Sequence, residues 1–402
     1  MTDVQKNIIL LNCNSSELST EDIQKIIESG EITIEEFRSA GLSQNKIFEL
    51  EEIEKRKKEI EEEERNVEED ENQRSINLER IIGGKIYAEE IRSLINRNAI
   101  TFDDILNSGI PSKIVNALKY YCSTEKITKS YTVDDLPPME EGRTDVYFVG
   151  LPGSGKSTMI AGLLNVAQKS GLLLPDPYHA AGVTFQTNLI QDLSRGVLPE
   201  RTMSGSYNYI AASLKDSHNN RHPLNIVDVP GELYNSIQDN AEVNKFLRYI
   251  NNKNKKILIF VIDSLEHEND NSVSNYDQSV VFPNILQMFN KSGVLEQTDA
   301  IYLVVNKFDA IKESKYYFDD RPNGDIALEF INDEFLGLKN NCFSVREDAK
   351  NNIKIKVIPF SIGSLSYGSI LNTLDKDFAK TILNQITKDS FIISGGVNRI
   401  FK

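Results

Sequence analysis

The stretch Asp145-Val-Tyr-Phe-Val-Gly150-Leu-Pro-Gly-Ser-Gly155-Lys-Ser-Thr158 decides how the rest of the chain is read. Val146 to Val149 is a short apolar run, the pattern of a buried strand. It leads into Gly150-x4-Gly155-Lys156-Ser157, the spacing of a phosphate-binding loop. From Thr158 to Gln168 the residues have helical periodicity, interrupted only by Gly162. Strand, glycine-rich loop and helix N-terminus, in that order, let successive backbone N–H groups converge on phosphate oxygens. Gly150, Gly153 and Gly155 allow the tight turns this needs. Lys156 has the reach for the β- and γ-phosphates, and the Ser157 hydroxyl is a ligand type for Mg²⁺. Ser154 and Thr158 complete the phosphate-contacting positions.

The bounds set by composition agree with this reading. The 402 residues suffice for more than one domain, and 40% hydrophobic residues with 18 Phe indicate a folded protein. A net charge of −15 argues against general binding to nucleic acid or to anionic membranes. Cys13, Cys122 and Cys342 lie far apart without disulfide or metal-ligand spacing, as expected of free thiols in a reducing compartment. The N-terminal Ile8 to Leu11 is too short for a signal peptide or a membrane span, so a soluble cytoplasmic protein is expected.

Downstream of the loop, apolar runs recur with polar residues at their ends. Tyr207 to Leu214 and Pro223 to Val227, joined by the turn Ser217 to Asn220, read as an antiparallel hairpin. The second run ends in Asp228-Val-Pro-Gly231-Glu232. A carboxylate there suits a contact to Mg²⁺ through water, and Gly231 suits a backbone N–H close to the γ-phosphate. Lys256 to Ile262 and Ile301 to Val305 are further buried strands, the latter followed by Asn306-Lys307-Phe-Asp309. The Asp309 carboxylate can accept two hydrogen bonds from guanine, a donor pair that adenine lacks. Asn306 suits bracing of the phosphate loop, and the aliphatic stem of Lys307 suits covering the base. Lys354 to Phe360 is the last strand, and Ser361-Ile362-Gly363 follows where a loop would touch the guanine ring.

The order Gly150…Lys156-Ser157, Asp228-x-x-Gly231, Asn306-Lys307-x-Asp309 resembles the Ras-like, translation-factor-related GTPases over residues 144–390. The resemblance implies a mostly parallel P-loop GTPase sheet with one antiparallel edge strand, guanine nucleotide and Mg²⁺ as cofactors, and GTP hydrolysis. It also implies that a threonine before the hairpin binds Mg²⁺ and senses the γ-phosphate; Thr202 matches best by position, Thr184 and Thr187 less well. Lys156, Thr202, Gly231 and Glu232 then carry the reaction, with Ser157, Thr202 and Asp228 on the metal. The Gly-x-Leu-Pro-x-x-Thr and Asp-x-Pro-Gly-Glu contexts are similar to the double-GTPases of bacterial conflict systems. Three departures stand out. Glu232 occupies the place where many small GTPases carry a water-orienting Gln. Pro152 sits at a loop position that is often Gly. Ser361-Ile-Gly departs from the usual Ser-Ala-Lys. A GTP- or GDP-binding assembly protein with negligible hydrolysis is therefore the alternative.

The N-terminal residues 1–122 read as an all-α module. Residues 20–50 and 88–118 are two copies of one unit, with Ile23, Ile27, Gly30, Thr33, Phe37, Gly41 and Leu50 recurring as Ile91, Ile95, Asn98, Thr101, Ile105, Gly109 and Leu118. Thr33 with Glu36 and Thr101 with Asp104 resemble capping boxes. Between the copies, 46–80 is a charged, solvated helix or spacer, 123–143 is a linker, and 144–402 is the nucleotide domain. With no catalytic constellation, the module suits a protein partner, an oligomer contact or a GTPase-activating partner. The connections 170–204 and 311–352 exceed what a minimal domain needs, and 326–338 reads as one amphipathic helix. Surface or turn roles are expected for His179, His218, His222 and His267; a helix N-cap is expected for Asp263, with a supporting role beside the site as the alternative; surface ion pairing is expected for Arg195 and Arg201, with a cis arginine finger as the alternative for Arg201.

Overall fold

A computed structural model describes residues 2–13, 18–123, 130–176, 180–200, 205–236, 241–265, 277–349 and 351–393. The chain divides into two compact units, one of residues 1–83 with 94–104, the other of 84–93 with 105–402.

In the first unit, α1 (Asp3–Leu11), α2 (Thr20–Glu28) and α3 (Ile34–Ser39) precede the 39-residue α4 (Gln44–Ile82). Apolar positions at helical spacing make a small core of Ile23, Ile32, Phe37, Leu42, Ile47 and Leu50. Thr33 and Glu36 close the expected capping box at the start of α3. The shorter Asp104 also manages it: the Thr101 N–H donates to its carboxylate at 2.7 Å, and the Asp104 N–H donates back to the Thr101 hydroxyl at 3.2 Å. The charged stretch is one continuous helix.

The second copy of the repeat supplies α5 (Ala88–Asn96), α6 (Phe102–Asn107) and α7 (Ser112–Ser123). The nucleotide domain then runs β1 (Thr144–Val149), α8 (Lys156–Lys169), β2 (Leu173–Pro175), α9 (Ala180–Ser194), β3 (Asn208–Lys215), β4 (Arg221–Asp228), α10 (Ala241–Ile250) and β5 (Lys255–Asp263). It continues through α11 (Gln278–Lys291), β6 (Thr298–Asn306), α12 (Phe308–Glu313), α13 (Asn323–Glu334), α14 (Leu336–Asp348) and β7 (Lys354–Pro359). The hairpin of β8 (Leu365–Ser366) and β9 (Ile370–Leu371) and the helix α15 (Lys376–Asp389) follow.

The sheet is seven-stranded in the order β2-β3-β4-β1-β5-β6-β7. β4, β1, β5, β6 and β7 are parallel, and the antiparallel element is an edge pair: β3 against β4, with β2 against β3 outside it. Side-chain alternation gives the sheet two cores. Tyr147, Val149, Leu258, Phe260 and Ile262 face one, closed by α10, α11, α13 and α14; Val146, Phe148, Ile257, Ile259 and Val261 face the other, closed by α8, α9 and α15. Covering both faces explains why the central strands are nearly continuous apolar runs. From β1 the chain passes to the far edge at β2, returns through β3 to β4 beside β1, and then crosses to β5 on its other side, so the carboxyl end of β1 lies at the topological switch point, where such sheets bind ligands.

Two long connections differ from their expected form. The 170–204 connection contains β2 and α9, and 311–352 holds two helices broken at Phe335 rather than one over 326–338. Phe335 has φ −129°, outside the helical range, and its buried ring packs at a tilt on that of Phe330, 5.9 Å between centroids, so packing turns the chain there. Among the described residues, no helix is long and apolar enough to cross a membrane.

Candidate nucleotide site

The loop after β1 has the conformation its glycines allow. Gly153 and Gly155 take left-handed backbones, φ 83° and 85°, and Gly155 caps α8. Lys156 is buried, and its ammonium donates to the carbonyls of Gly150 at 2.8 Å and Leu151 at 3.2 Å. Burial pushes its pKa down, while the carboxylates of Asp228 and Glu232 push it back up. Both acids are therefore within electrostatic reach of this lysine. Among the described residues the buried Ser154 hydroxyl has no hydrogen-bond partner, an arrangement that suits a ligand oxygen arriving in the loop. Thr158 is half-buried in the first turn of α8.

Ser157 meets the end of β4 directly: its hydroxyl donates to the Asp228 carboxylate at 2.7 Å. A hydroxyl and a carboxylate at adjoining element ends form a hard-oxygen pair that fits Mg²⁺, which takes few protein ligands and shares the rest with phosphate and water. Among the described residues no cluster of three or more His, Cys, Asp or Glu could hold a metal, and a site of this type requires none. Gly231 presses on the phosphate loop: a Cβ there would lie 2.4 Å from the Pro152 nitrogen. Only glycine permits that approach. Glu232 is half-buried beside it, in a 3-10 turn over Gly231–Ser236.

The residues expected to read the base lie at the end of β6 and the start of α12. Asn306 is buried and donates from Nδ2 to the Ser154 carbonyl at 2.6 Å, joining the motif to the phosphate loop. A Cβ on Gly155 would fall 2.4 Å from that same amide, so the loop glycine makes room for the brace. Lys307 is in the left-handed region, φ 55°, and begins α12. Asp309 is exposed and opens into a cleft of about 630 Å³, lined also by Ser361, Gly363, Asp375 and Phe378. The buried Ser361 hydroxyl accepts the Gly363 N–H at 3.0 Å. Ile362 points elsewhere: its side chain packs on α8, and a Cβ on Gly162 would come 2.8 Å from its Cδ1. Only its backbone is left to face the cleft.

Other expectations change. Thr184 and Thr187 are exposed on α9, not in a loop, while Thr202 and Arg201 lie outside the described residues. Asp263 does not cap a described helix; its carboxylate holds the Lys307 ammonium at 2.6 Å. Nothing in the local sequence marks that pair, because Asp263 ends β5 and Lys307 follows β6, 44 positions on. His222 is not a surface residue but is buried in β4, with Nδ1 2.9 Å from the Ser390 hydroxyl. His218 is exposed in the β3–β4 turn, and His179 and His267 lie outside the described residues.

The sheet order, the loop after β1 and the close approach of Gly231 and Asn306 to it have the architecture of a P-loop GTPase fold. Residues 147–299 match the family described as Double-GTPase 1, which supports guanine-nucleotide binding. Matching solved structures include one described as nucleolar GTP-binding protein 1 from Plasmodium falciparum. It is 13% identical, and the likeness covers 63% of this chain and 90% of that one with a TM-score of 0.30. No curated protein matches the chain.

Proposed function

We propose that this chain is a Mg²⁺-dependent GTPase whose nucleotide state controls contact with a protein partner, in a setting such as a bacterial conflict or defence system. The observation that carries the reading is Asn306, whose amide ties the base motif to the carbonyl of Ser154 in the phosphate loop at 2.6 Å. Base and phosphates would thus be read by one connected frame. Asp309 accepts hydrogen bonds from guanine, Lys307 covers the ring, and Lys156 moves from its loop carbonyls to the phosphates. Ser157, Asp228 and Thr202 would hold Mg²⁺, which supplies charge neutralisation at the β- and γ-phosphates. The Gly231 N–H meets the γ-phosphate, and Glu232 stands where the attacking water would be oriented.

The switch reading draws support from how the second repeat meets this domain. The Tyr120 hydroxyl donates to Asp192 near the end of α9 at 3.0 Å, and the Ala88 N–H donates to the Tyr367 carbonyl in the β8–β9 turn at 2.9 Å. That hairpin in turn pairs with residues 196–198, just before Thr202, through Leu198 N–H to Ser369 at 2.9 Å and Leu371 N–H to Gly196 at 2.8 Å. A change at Thr202 would reach these helices through residues 196–198. A protein or oligomer contact, or a GTPase-activating partner, is assigned to this module; the net charge of −15 argues against nucleic acid.

Glu232 favours a second reading, a nucleotide-dependent assembly protein that hydrolyses GTP negligibly. A carboxylate within reach of Lys156 repels the γ-phosphate where Gln would donate to it. Titration with labelled GTP and ATP, followed by phosphate release from wild type and Glu232→Gln, separates the readings. GTP binding with turnover supports the switch, GTP binding without turnover supports the assembly protein, and tighter ATP binding overturns the guanine assignment.

A further inference from the structure

The ion pair at the end of β5 joins that strand to Lys307 of the Asn306–Asp309 motif. Asp263 is almost wholly buried, and its Oδ2 lies 2.6 Å from the ammonium of Lys307, whose side chain is about a third exposed. Oδ1 accepts the Leu265 N–H at 3.1 Å. The backbone of Asp263 is held on both sides by one residue, the buried Gln278 at the start of α11. Gln278 Oε1 accepts the Asp263 N–H at 2.9 Å, and its Nε2 donates to the Asp263 carbonyl at 3.0 Å. Ser264 completes the lock, its N–H donating to the Asn306 carbonyl at 3.3 Å and its hydroxyl to the Lys307 carbonyl at 3.0 Å. The strand register places Asp263 beside Asn306.

A lysine free in solvent samples many rotamers, and laying its stem on a base costs that freedom. A fixed carboxylate that seats the ammonium removes most of the cost before ligand arrives. The carboxylate must itself be rigid, and a buried side chain accepting a backbone N–H on a doubly clamped backbone meets that condition. We propose that Asp263 is a positioning residue for guanine recognition: it acts through Lys307, with Gln278 as the clamp that holds it. The proposal rests on the guanine reading of the Asn306–Asp309 motif. A carboxylate that merely ties β5 to β6 would affect stability without affecting the base.

The test is a thermodynamic cycle on the full chain, with a fluorescent GDP analogue as probe and the unfolding midpoint recorded for each protein. Asp263→Asn, which keeps the acceptor for Leu265, should weaken GDP binding by about tenfold, the scale of one lysine's rotamer freedom. Lys307→Met should weaken it at least as much, and the double variant should be no weaker than Lys307→Met alone. Gln278→Ala should give a smaller loss that also disappears in the Lys307→Met background, and it carries the test if Asp263→Asn does not fold. Unchanged affinity in Asp263→Asn, or a loss that adds in full to that of Lys307→Met, overturns the proposal. Failure of the wild-type chain to bind GDP would instead overturn the guanine reading beneath it.

Discussion

Asp309 is exposed at the cleft while its neighbour Asn306 is buried against the phosphate loop, and the contrast separates their roles. Asn306 is tied to the protein, whereas the Asp309 carboxylate is open to the cleft, as the proposed base contact requires. Replacing Asp309 by Asn turns an acceptor pair into one donor and one acceptor. GDP affinity should fall by at least ~100-fold, because guanine's two donors then face a mismatched partner. Xanthine nucleotide, which presents an acceptor in place of guanine's amine, should gain affinity. Parallel titrations of GDP and XDP against Asp309→Asn check both halves. Equal loss of both nucleotides would assign Asp309 to folding rather than to the base. Most of the residues in this set are readable from sequence because each follows an apolar strand at fixed spacing. Asp263 is not, because its partner Lys307 is 44 positions away and only the sheet brings them together.

At the scale of elements, the β3–β4 hairpin is organised by its turn. The Asp216 carboxylate accepts from the Asn220 side chain at 2.9 Å, from the backbone N–H groups of Asn220 and His218 at 2.8 Å, and lies 3.5 Å from the His222 ring. These donors, the Asn220 amide first, hold its carboxyl at about 2, below the ordinary 3.8. A carboxyl lowered on folding stabilises the fold fully above 3.8, and the stabilisation is lost as pH falls through about 2. Asp216→Ala should therefore lower the unfolding midpoint at neutral pH, and the gap to wild type should narrow between pH 4 and pH 2. A gap independent of pH would remove the carboxylate from the turn's stability. That hairpin is legible because polar turn residues separate two apolar runs. The helix α9 is not: Ala180-Ala-Gly-Val-Thr-Phe-Gln-Thr-Asn has weak helix formers and a glycine that reads as a turn. Tertiary packing makes it helical, with Leu189 and Leu193 buried against the sheet's second core. Gly182 is there for space, since a Cβ would lie 2.8 Å from the Tyr209 carbonyl.

At the scale of the molecule, the two copies of one helical unit have diverged in what they hold. The first keeps its own core, while residues 88–93 and 105–118 of the second fold within the unit that holds the sheet. Its α7 grips that unit at three points. Tyr120 bonds Asp192, the Lys113 ammonium donates to the Asn372 carbonyl at 2.5 Å, and Ala117 lies 3.5 Å from where a Cβ on Gly196 would stand. Two of the three flank residues 196–198, which lead to Thr202, and the third fixes the end of the hairpin that pairs with them. If Thr202 senses the γ-phosphate, loosening this grip should affect GTP more than GDP. The combined substitution Tyr120→Phe with Lys113→Ala removes two hydrogen bonds worth about 1 kcal/mol each when intact, with no cavity to complicate the fold. Binding of a non-hydrolysable GTP analogue should weaken about threefold or more, while GDP binding stays within about twofold, since only part of the lost energy is coupled to the phosphate. Titration of both nucleotides against one variant preparation gives the ratio directly. An equal loss for the two would make α7 a support for the sheet domain and leave the nucleotide signal to leave by another route.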